Sequence, residues 1–317
     1  MPSHGRVVVV GSLNVDSTSY VEQFPAPGET IRSHGFRVAL GGKGSNQAIA
    51  AHVVGADVTL LARIGADAAG DFALATLEQF RLPTESIGRV TDAPTGVAQI
   101  TVADSGENTI IVTSGANLAV TPDIVDAERE RFAAGSVVLT QGELPVATID
   151  RVAELAAESG ARFVLNLAPP APVALTTLAL ADPLVVNEHE ARAVGIDADA
   201  TGGSLDAWRE AAASAVDRVA RSVVVTLGSA GAVAASGDGS WAAPAPAVEA
   251  VDTTGAGDGF TGALAAFLAE GRALEEALRI AVAAGALAVQ ARGTVDSYAT
   301  RDAVLGAAGL TGGGAPA

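Results

Sequence analysis

A glycine-rich loop late in the chain, DTTGAGD from Asp252 to Asp258, carries residues suited to chemistry. Its small residues Gly255, Ala256 and Gly257 leave backbone N–H groups uncrowded just before a predicted helix, and a helix N-terminus attracts anions. The carboxylate of Asp258 could accept the proton of an attacking hydroxyl group while those amides stabilise a transferring phosphoryl group. The loop therefore predicts phosphoryl transfer to an alcohol, the alternative being that Asp258 only caps the helix.

A second glycine-rich loop, GGKGSN at residues 41–46, contains Lys43, the only lysine among the 19 basic residues of the chain. A flexible ammonium group on a backbone opened by glycines can do what a planar guanidinium group cannot. Two such loops in one chain favour a phosphate site, although chance placement of one lysine is the alternative. The P-loop of nucleoside triphosphatases is excluded, because Gly44 follows Lys43 and Arg37 occupies the position of the earlier glycine.

Polar residues also follow two predicted strands, at the edge where open parallel sheets bind ligands. Asn14 and Asp16 are two apart in an extended segment, so they share a face and could hold neighbouring hydroxyl groups of a sugar. A local Asx turn is the alternative. Asn187 and Glu190 begin a predicted helix, where they could form a capping box, hold waters around Mg²⁺, or do both.

Composition narrows the class of protein. The chain has 317 residues, 49% of them hydrophobic, and its net charge of −17 argues against nucleic acid or an anionic membrane as the main partner. It has no cysteine, so disulfides and thiolate metal sites are excluded, and its four histidines show no metal-ligand spacing. The apolar run near the N-terminus is too short for a secretory signal, and no uncharged stretch is long enough to span a membrane, so we expect a cytoplasmic protein.

Short apolar runs alternate with amphipathic segments along most of the chain. The predicted strands are Val7–Val10, Val58–Ile64, Ser136–Thr140, Arg162–Asn166, Pro183–Val186 and Ser222–Leu227. The predicted helices are Asn46–Val54, Ala69–Phe80, Val146–Glu158, Glu188–Val194, Leu205–Val219 and Phe260–Glu270, with a further helical pattern from Ala273 to Gln290. This alternation predicts an α/β fold in which helices cover both faces of a mostly parallel sheet.

Two stretches, Ser17–Leu40 and Thr95–Thr113, break this rhythm with alternating polar and apolar residues. We expect them to form a small, separate antiparallel sheet that acts as a lid. The predicted organisation is a discontinuous core at residues 1–16, 41–94 and 114–310, a lid at residues 17–40 and 95–113, and a frayed Gly/Ala tail at residues 311–317.

Six segments together resemble the ribokinase-like carbohydrate kinases. They are GSLNVD (11–16), FPAPGET (24–30), GGKGSNQA (41–48), NEHE (187–190), TLGSAG (226–231) and DTTGAGD (252–258), in the family's order along nearly the whole chain. The resemblance implies a three-layer α/β sandwich with a small β-sheet lid that also forms a homodimer contact. It further implies transfer of the γ-phosphoryl group of ATP to the 5-hydroxyl group of D-ribose.

The resemblance also implies roles for individual residues. Those expected to bind the sugar are Asn14, Asp16, Gly42, Lys43, Asn46 and Glu143, with Asp258 as the general base and the amides of Gly255, Ala256, Gly257 and Asp258 as the anion hole. Those expected to line the ATP site are Asn187, Thr226, Gly228, Gly231 and Gly257, with Asn187 and Glu190 organising Mg²⁺ through water. The expected potassium site comprises the side chain of Asp252, the carbonyl groups of Thr254, Ala288, Ala291 and Gly293, and Ser297.

Some positions depart from the family's pattern. Val282 stands where the family often has His or Asn near the adenine, so the resemblance leaves a preference for ATP over GTP open. Ser45 and Gly142 replace the commoner Ala and Leu, and Gly259 follows the expected base. Other substrates also stay open, namely fructose, 2-keto-3-deoxygluconate or a nucleoside. A non-catalytic sugar sensor with the same fold is the alternative from a different class.

Overall fold

The strands of the molecule form two separate sheets. A computed structural model describes residues 5–198 and 203–310. Its strands are β1 (Arg6–Val10), β2 (Asn14–Val21), β3 (Gly35–Gly41), β4 (Asp57–Gly65), β5 (Ile87–Val90), β6 (Gly96–Ala103), β7 (Asn108–Thr113), β8 (Val137–Gln141), β9 (Arg162–Asn166), β10 (Leu184–Asn187), β11 (Val223–Thr226), β12 (Ala232–Ser236) and β13 (Gly239–Ala243). Nine of these strands form the main sheet in the order β13-β12-β11-β10-β9-β8-β1-β4-β5. At one edge of this sheet, β12 pairs antiparallel with both β11 and β13.

The central strands are apolar on both faces because helices cover both sides of the main sheet. Along β1, Val7 and Val9 belong to one hydrophobic core, whereas Val8 and Val10 belong to the other, and all of them are fully buried. Successive side chains of a strand point to opposite faces, so this alternation divides the interior into two cores separated by the sheet. The predicted α/β fold with a mostly parallel sheet is therefore confirmed.

Helices flank this sheet and position the loops at its edge. They are α1 (Lys43–Val53), α2 (Ala68–Gln79), α3 (Pro122–Ala127), α4 (Val146–Ser159), α5 (Leu175–Leu180), α6 (Glu188–Ala193), α7 (Leu205–Ala215), α8 (Ala256–Ala269), α9 (Leu274–Ala288) and α10 (Arg301–Ala307). Helices α1 and α8 approach each other so closely that a methyl group on Gly262 would overlap the backbone of α1 at Gln47. This contact places the start of α1 beside the start of α8.

The smaller sheet has the strand order β3-β2-β6-β7. Its outer pairs are antiparallel, but β2 and β6 pair in parallel, so the prediction of an antiparallel sheet is wrong for the central pair. The long connection through α1, β4, α2 and β5 brings the chain back in the same direction, as parallel pairing requires. Large apolar side chains on this sheet are exposed, namely Tyr20, Phe36, Val38, Ile110, Ile111 and Val112.

Two helices begin earlier than the sequence predicts. Helix α1 begins at Lys43 rather than Asn46, and α8 begins at Ala256 rather than Phe260. The glycines in both loops lower intrinsic helix propensity, but packing between the two helices outweighs that cost. As a result, the predicted anion-hole loop forms the first turn of α8 itself.

Other boundaries also differ from the predictions. Helix α7 ends at Ala215 rather than Val219, because Val216 adopts an extended backbone conformation. The sequence analysis does not predict strands β5, β12 and β13, since β12 and β13 contain few β-branched residues and β5 is a four-residue segment interrupted by a glycine. Within residues 5–198 and 203–310, no helix is long and apolar enough to cross a membrane. The predicted tail at residues 311–317 lies outside the described residues.

Candidate active site

Asp258, the predicted general base, is buried in the first turn of α8, and its carboxylate accepts two side-chain hydrogen bonds. Asn46 donates to Oδ2 at 3.0 Å, and Gln47 donates to Oδ1 at 2.8 Å. The ammonium nitrogen of Lys43 lies 3.9 Å from Oδ1. All three partners lie in the first turns of α1, so the close contact between α1 and α8 assembles this cluster.

Lys43 provides the positive charge of this cluster, which lies in a cleft between the starts of α1 and α8. The charge of Asp258 raises the pKa of Lys43, and the charges of Glu143 and Glu190 act in the same direction, against the opposing effect of burial. The side chain therefore stays an ammonium group at neutral pH. It balances carboxylates that reach the cleft from three different elements of the fold.

Glu143, which follows β8, closes the N-terminus of α1. Its Oε2 accepts a hydrogen bond from the amide N–H of Lys43 at 2.9 Å and another from the hydroxyl group of Ser12. A carboxylate at this end of a helix is stabilised by the helix dipole and by the unpaired amides. Glu143 thus fixes the start of the helix that carries Lys43 and Asn46.

The glycines in the loop before α1 and in its first turn permit close contacts. A methyl group on Gly41 would overlap the carboxyl group of Asp16, and one on Gly44 would overlap the backbone at Ser12. The first amide of α1 is already bonded to Glu143. In the structure, the glycines therefore make room for neighbouring groups of the protein, which occupy the space beside Gly41 and Gly44.

Asp16 projects from β2 of the smaller sheet into the same cluster. Burial raises the pKa of Asp16 to about 7, and the charges of Glu143 and Asp258 add to this effect. Asp16 Oδ1 and Asn46 Oδ1 are buried without a hydrogen-bond partner among the described residues. Buried acceptors of this kind need donors, and the hydroxyl groups of a bound sugar would supply them.

Asn14 lies two residues before Asp16 on β2 and is held in a fixed orientation. Its Oδ1 accepts a hydrogen bond from Asn117 Nδ2 at 2.7 Å, and Asn117 Oδ1 accepts from the amide of Leu13 at 2.9 Å. Because Oδ1 of Asn14 is used, its Nδ2 group is the part that can donate to a ligand. The Asx-turn alternative does not describe this residue, since Asn14 forms part of a strand.

The N-terminus of α8 presents open backbone amides beside Asp258. Gly255 caps the helix in the left-handed conformation, with φ 76°. Within the described part of the chain, no carbonyl group accepts from the N–H groups of Gly255, Gly257 or Asp258, whereas the N–H of Ala256 donates to the carbonyl of Thr253 at 3.3 Å. Three of the four predicted anion-hole donors are therefore open, and that of Ala256 is already engaged.

Tyr298 supports this turn from the protein interior. Its hydroxyl group donates to the carbonyl of Gly255 at 3.2 Å, and its ring fills the space next to Gly259. Burial raises the pKa of Tyr298 well above its ordinary value, and the charge of Asp258 adds to this effect. The phenol therefore stays neutral and remains a donor. The glycine at position 259 makes room for this ring.

A cavity of about 580 Å³ opens beside the N-terminus of α8. Its lining includes the predicted nucleotide residues Thr226, Gly228, Gly231 and Gly257, whereas Asn187 does not line it. Apolar residues form much of the remaining wall, among them Ala247, Val248, Phe260, Val282, Ala286 and Val289. A concave, largely apolar space with a few polar groups at one end suits a small-molecule ligand.

Asn187 and Glu190 form the capping box that the sequence predicts. Asn187 Oδ1 accepts from the amide of Glu190 at 2.9 Å, and Glu190 Oε2 accepts from the amide of Asn187 at 2.8 Å. Burial raises the pKa of Glu190. In residues 5–198 and 203–310, no group of three or more acidic or histidine side chains could hold a metal ion. A magnesium ion here would take most ligands from water and substrate.

Asp252 joins the two loops that carry most of the predicted potassium ligands. Its carboxylate accepts from the amides of Thr254 and Gly293, each at 3.0 Å. Burial alone would raise the pKa of Asp252, but these hydrogen bonds outweigh it and lower the pKa. Ser297, in the next turn, donates to the carbonyl of Thr294 at 2.7 Å. The carbonyl of Ala288 accepts weakly from the amide of Ala291, at 3.5 Å.

The family model for pfkB family carbohydrate kinases matches residues 5–301. The chain belongs to this family. It is therefore a kinase of the ribokinase family, a phosphotransferase that acts on a sugar, and the family resemblance read from the sequence is confirmed.

Individual relatives cover nearly the whole chain. The ribokinase of Haemophilus influenzae is 34% identical over 300 residues, which cover 94% of this chain and 97% of that protein. The deoxyribokinase of Salmonella typhi is 33% identical over 300 residues, covering 92% and 95% of the two chains. The solved structure of Arabidopsis thaliana ribokinase complexed with ribose and ATP matches with a TM-score of 0.87 and 32% identity, covering 96% of this chain and 98% of that one.

Several residues of the site were not identified from the sequence. Gln47, Gln141 and Asn166 form a buried amide network behind Asp258. A signal existed for each of them. Gln47 follows Lys43 by one helical turn, so the two share a helix face, while Gln141 and Asn166 end β8 and β9 at the ligand-binding edge of the sheet.

Proposed function

We propose that this sugar kinase transfers the γ-phosphoryl group of ATP to the 5-hydroxyl group of D-ribose, with Asp258 as the general base. The observation that carries the proposal is the position of Asp258. Its buried carboxylate lies beside the Lys43 ammonium group, at the head of a helix whose open amides border a ligand-sized cavity. Ribokinases of other organisms that match nearly the whole chain support the choice of ribose.

The sugar would bind between β2 and the start of α1. Asn14 would donate through Nδ2, and the unpaired oxygens of Asp16 and Asn46 would accept from hydroxyl groups. Lys43 would donate to sugar oxygens, with Gly42 and Glu143 completing this wall. One hydroxyl group would then face Asp258, which takes its proton as the oxygen attacks phosphorus. The bond from this oxygen to phosphorus forms as the bond to the leaving ADP breaks.

ATP would occupy the cavity lined by Thr226, Gly228 and Gly231, with its terminal phosphate at the amides of Gly257 and Asp258. These donors are fixed before the reaction and would stabilise the charge of the transferring group. When bound, Mg²⁺ neutralises phosphate charge. Glu190 fits a role in organising such an ion through water, because its carboxylate is buried and its capping box uses only Oε2.

We also propose a potassium site at Asp252. The residues present fit this ion, because the Asp252 carboxylate holds the two ligand loops together and Ser297 keeps acceptor lone pairs. This site would adjoin the anion hole, since a methyl group on Gly255 would overlap Thr294 in the second loop. K⁺ should raise the melting temperature more than Na⁺ does, and Asp252→Ala should remove the difference. Equal melting temperatures of the unaltered protein in both salts would contradict the site.

The smaller sheet is proposed to act as a lid and as the contact of a homodimer. It carries Asp16 into the cleft, while Ile110, Ile111 and Val112 expose apolar surface on the edge strand β7. A second copy of the chain is the proposed occupant, because it would cover an equivalent apolar sheet and pair the exposed strand edge. Closure over the sugar would exclude water and limit hydrolysis of ATP.

The second candidate substrate is 2-deoxy-D-ribose, because relatives named deoxyribokinase match at similar identity. Fructose, 2-keto-3-deoxygluconate and nucleosides stay open as further alternatives. A coupled assay of ADP release across pentoses, hexoses and nucleosides, with ATP and with GTP, separates these substrates. The proposal expects the highest kcat/KM with D-ribose, and a higher value with any other acceptor would overturn the choice of ribose.

A further inference from the structure

We infer that Gln47 is a positioning residue for Asp258, an inference that rests on the proposed function. Gln47 is fully buried on α1. Its Nε2 donates to Asp258 Oδ1 at 2.8 Å and to Asn166 Oδ1 at 2.9 Å, and its Oε1 accepts from Gln141 Nε2 at 2.9 Å. Both N–H groups and the oxygen of the amide are therefore used.

A backbone group sets the orientation of this amide. Asn166 Nδ2 donates to the carbonyl of Val185 in β10 at 3.1 Å. A carbonyl group only accepts, so Asn166 must turn its oxygen towards Gln47. That oxygen requires a donor, so the Nε2 group of Gln47 faces Asn166. The second N–H of the same Nε2 group then donates to Asp258, while Oε1 faces Gln141. The hydrogen bonds that run from Val185 through Asn166 to Gln47 thus keep an N–H donor directed at the Asp258 carboxylate.

The consequence for Asp258 is a fixed carboxylate plane. Asn46 holds Oδ2 and Gln47 holds Oδ1, so rotation of the carboxylate would break a charge-assisted hydrogen bond on each side. The remaining lone pairs are left for the hydroxyl proton. A reacting group must be held within a fraction of an ångström of its productive geometry, and small displacements are costly. The side-chain hydrogen bonds of Gln47 go to Asp258, Asn166 and Gln141, so Gln47 would act on the sugar through the base.

A solely structural role would have a different signature. A buried amide that only stabilises the fold would, on replacement, lower the free energy of unfolding without changing turnover of the folded enzyme. A positioning role lowers kcat while leaving the affinities for both substrates in place. The two roles are therefore separated by kinetics, not by stability.

Gln47→Met is the first test, because methionine has a similar length but cannot donate. We expect kcat to fall by about 10- to 100-fold, the scale for a misplaced catalytic group, with KM for sugar and ATP and the calorimetric Kd for sugar essentially unchanged. Thr148→Val is the matched control. It removes another fully buried side-chain donor, on α4 outside the cleft, and should lower stability while leaving kcat unchanged.

Gln47→Glu, which preserves size, keeps the test decisive if the methionine variant does not fold. It places a carboxyl group where Asp258 needs a permanent donor, so the same loss of kcat is expected. Unchanged kcat in either folded variant, or a rise in KM that accounts for the whole loss of kcat/KM, would overturn the positioning role. Absence of kinase activity in the unaltered protein on every sugar would instead overturn the proposed function.

Discussion

The ammonium group of Lys43 and the carboxylate of Asp258 lie 3.9 Å apart, although one begins α1 and the other belongs to the first turn of α8. The lysine is the only one in the chain, and the charge of Asp258 raises its pKa. The contact gives the cleft one mobile donor with a permanent positive charge, next to the proposed base.

Removing this ammonium group should weaken sugar binding. We expect Lys43→Met to raise the Kd for D-ribose by about 10- to 100-fold, the range for loss of a hydrogen bond to a charged group. Lys43→Arg should bind D-ribose little better than Lys43→Met does, because a planar guanidinium group does not fit the space of a compact ammonium group. Calorimetric titration measures this effect. Arg6→Met, at an exposed pair outside the cleft, is the control of equal charge change, and an equal effect from it would contradict a local role.

Gly257→Ala tests the anion hole separately from the fold. A methyl group here would meet no protein atom within 4 Å, so the variant should fold normally. It would enter the space assigned to the terminal phosphate, and we expect kcat/KM for ATP to fall by about 100-fold or more, the scale of losing an anion-hole contact. Sugar binding should not change. Gly306→Ala, an equally open helical position in α10, is the control, and full activity of Gly257→Ala would exclude phosphate from this turn.

Asp16 should make the stability of the sugar-free protein depend on pH. Its pKa lies at about 7 in the folded protein against an ordinary value of 3.8, so the folded state retains a proton that the unfolded state has lost. The free energy of unfolding therefore falls as the pH rises from 3.8 to about 7. The stabilisation of the folded state by protonated Asp16 is complete only below this pH range.

Asp16→Asn removes this titration. Urea unfolding at about pH 5 and at about pH 8 should show the variant gaining stability relative to the unaltered protein as pH increases. A difference in stability that is the same at both pH values would contradict the raised pKa. Addition of D-ribose should stabilise the unaltered protein more than the variant, because the variant lacks the proposed acceptor for a sugar hydroxyl.

Ile111→Asp tests the proposed dimer. The Ile111 side chain is 66% exposed on β7, and a carboxylate there would be buried without a partner if a second copy covered this strand. We expect light scattering to give the mass of a dimer for the unaltered protein and of a monomer for the variant. Leu175→Asp changes another highly exposed leucine-sized residue, away from the smaller sheet, and should leave the dimer intact. A monomeric unaltered protein would contradict the proposed contact.

The sheet and the loop that ends in Asp258 could be predicted because their signals are local. Strands such as β1 and β11 are unbroken runs of valine, a pattern that is typical of strands buried on both faces. The glycines before an apolar run predict a helix N-terminus at this loop, and the structure places Asp258 in the first turn of α8. These features need no knowledge of which elements pack together.

The parallel pairing of β2 with β6 and the amide network around Gln47 could not be predicted in the same way. Pairing between distant strands depends on the path of the intervening chain, and alternation of apolar residues does not reveal its direction. The network joins α1, β8, β9 and α8, so it exists only after these elements have packed. The close contacts of the glycines at the start of α1 could not be predicted for a similar reason, since the groups that fill their space come from β2 and the turn before it.

The most direct test of the central claim is turnover by Asp258→Asn, measured as ADP release with D-ribose and ATP in the same preparation that is titrated with D-ribose by calorimetry. The amide keeps the shape of the side chain but cannot act as the base. We predict that kcat falls by about 100- to 10,000-fold, the contribution of a general base, while the variant stays folded and sugar binding is retained. A kcat close to that of the unaltered protein would contradict the account.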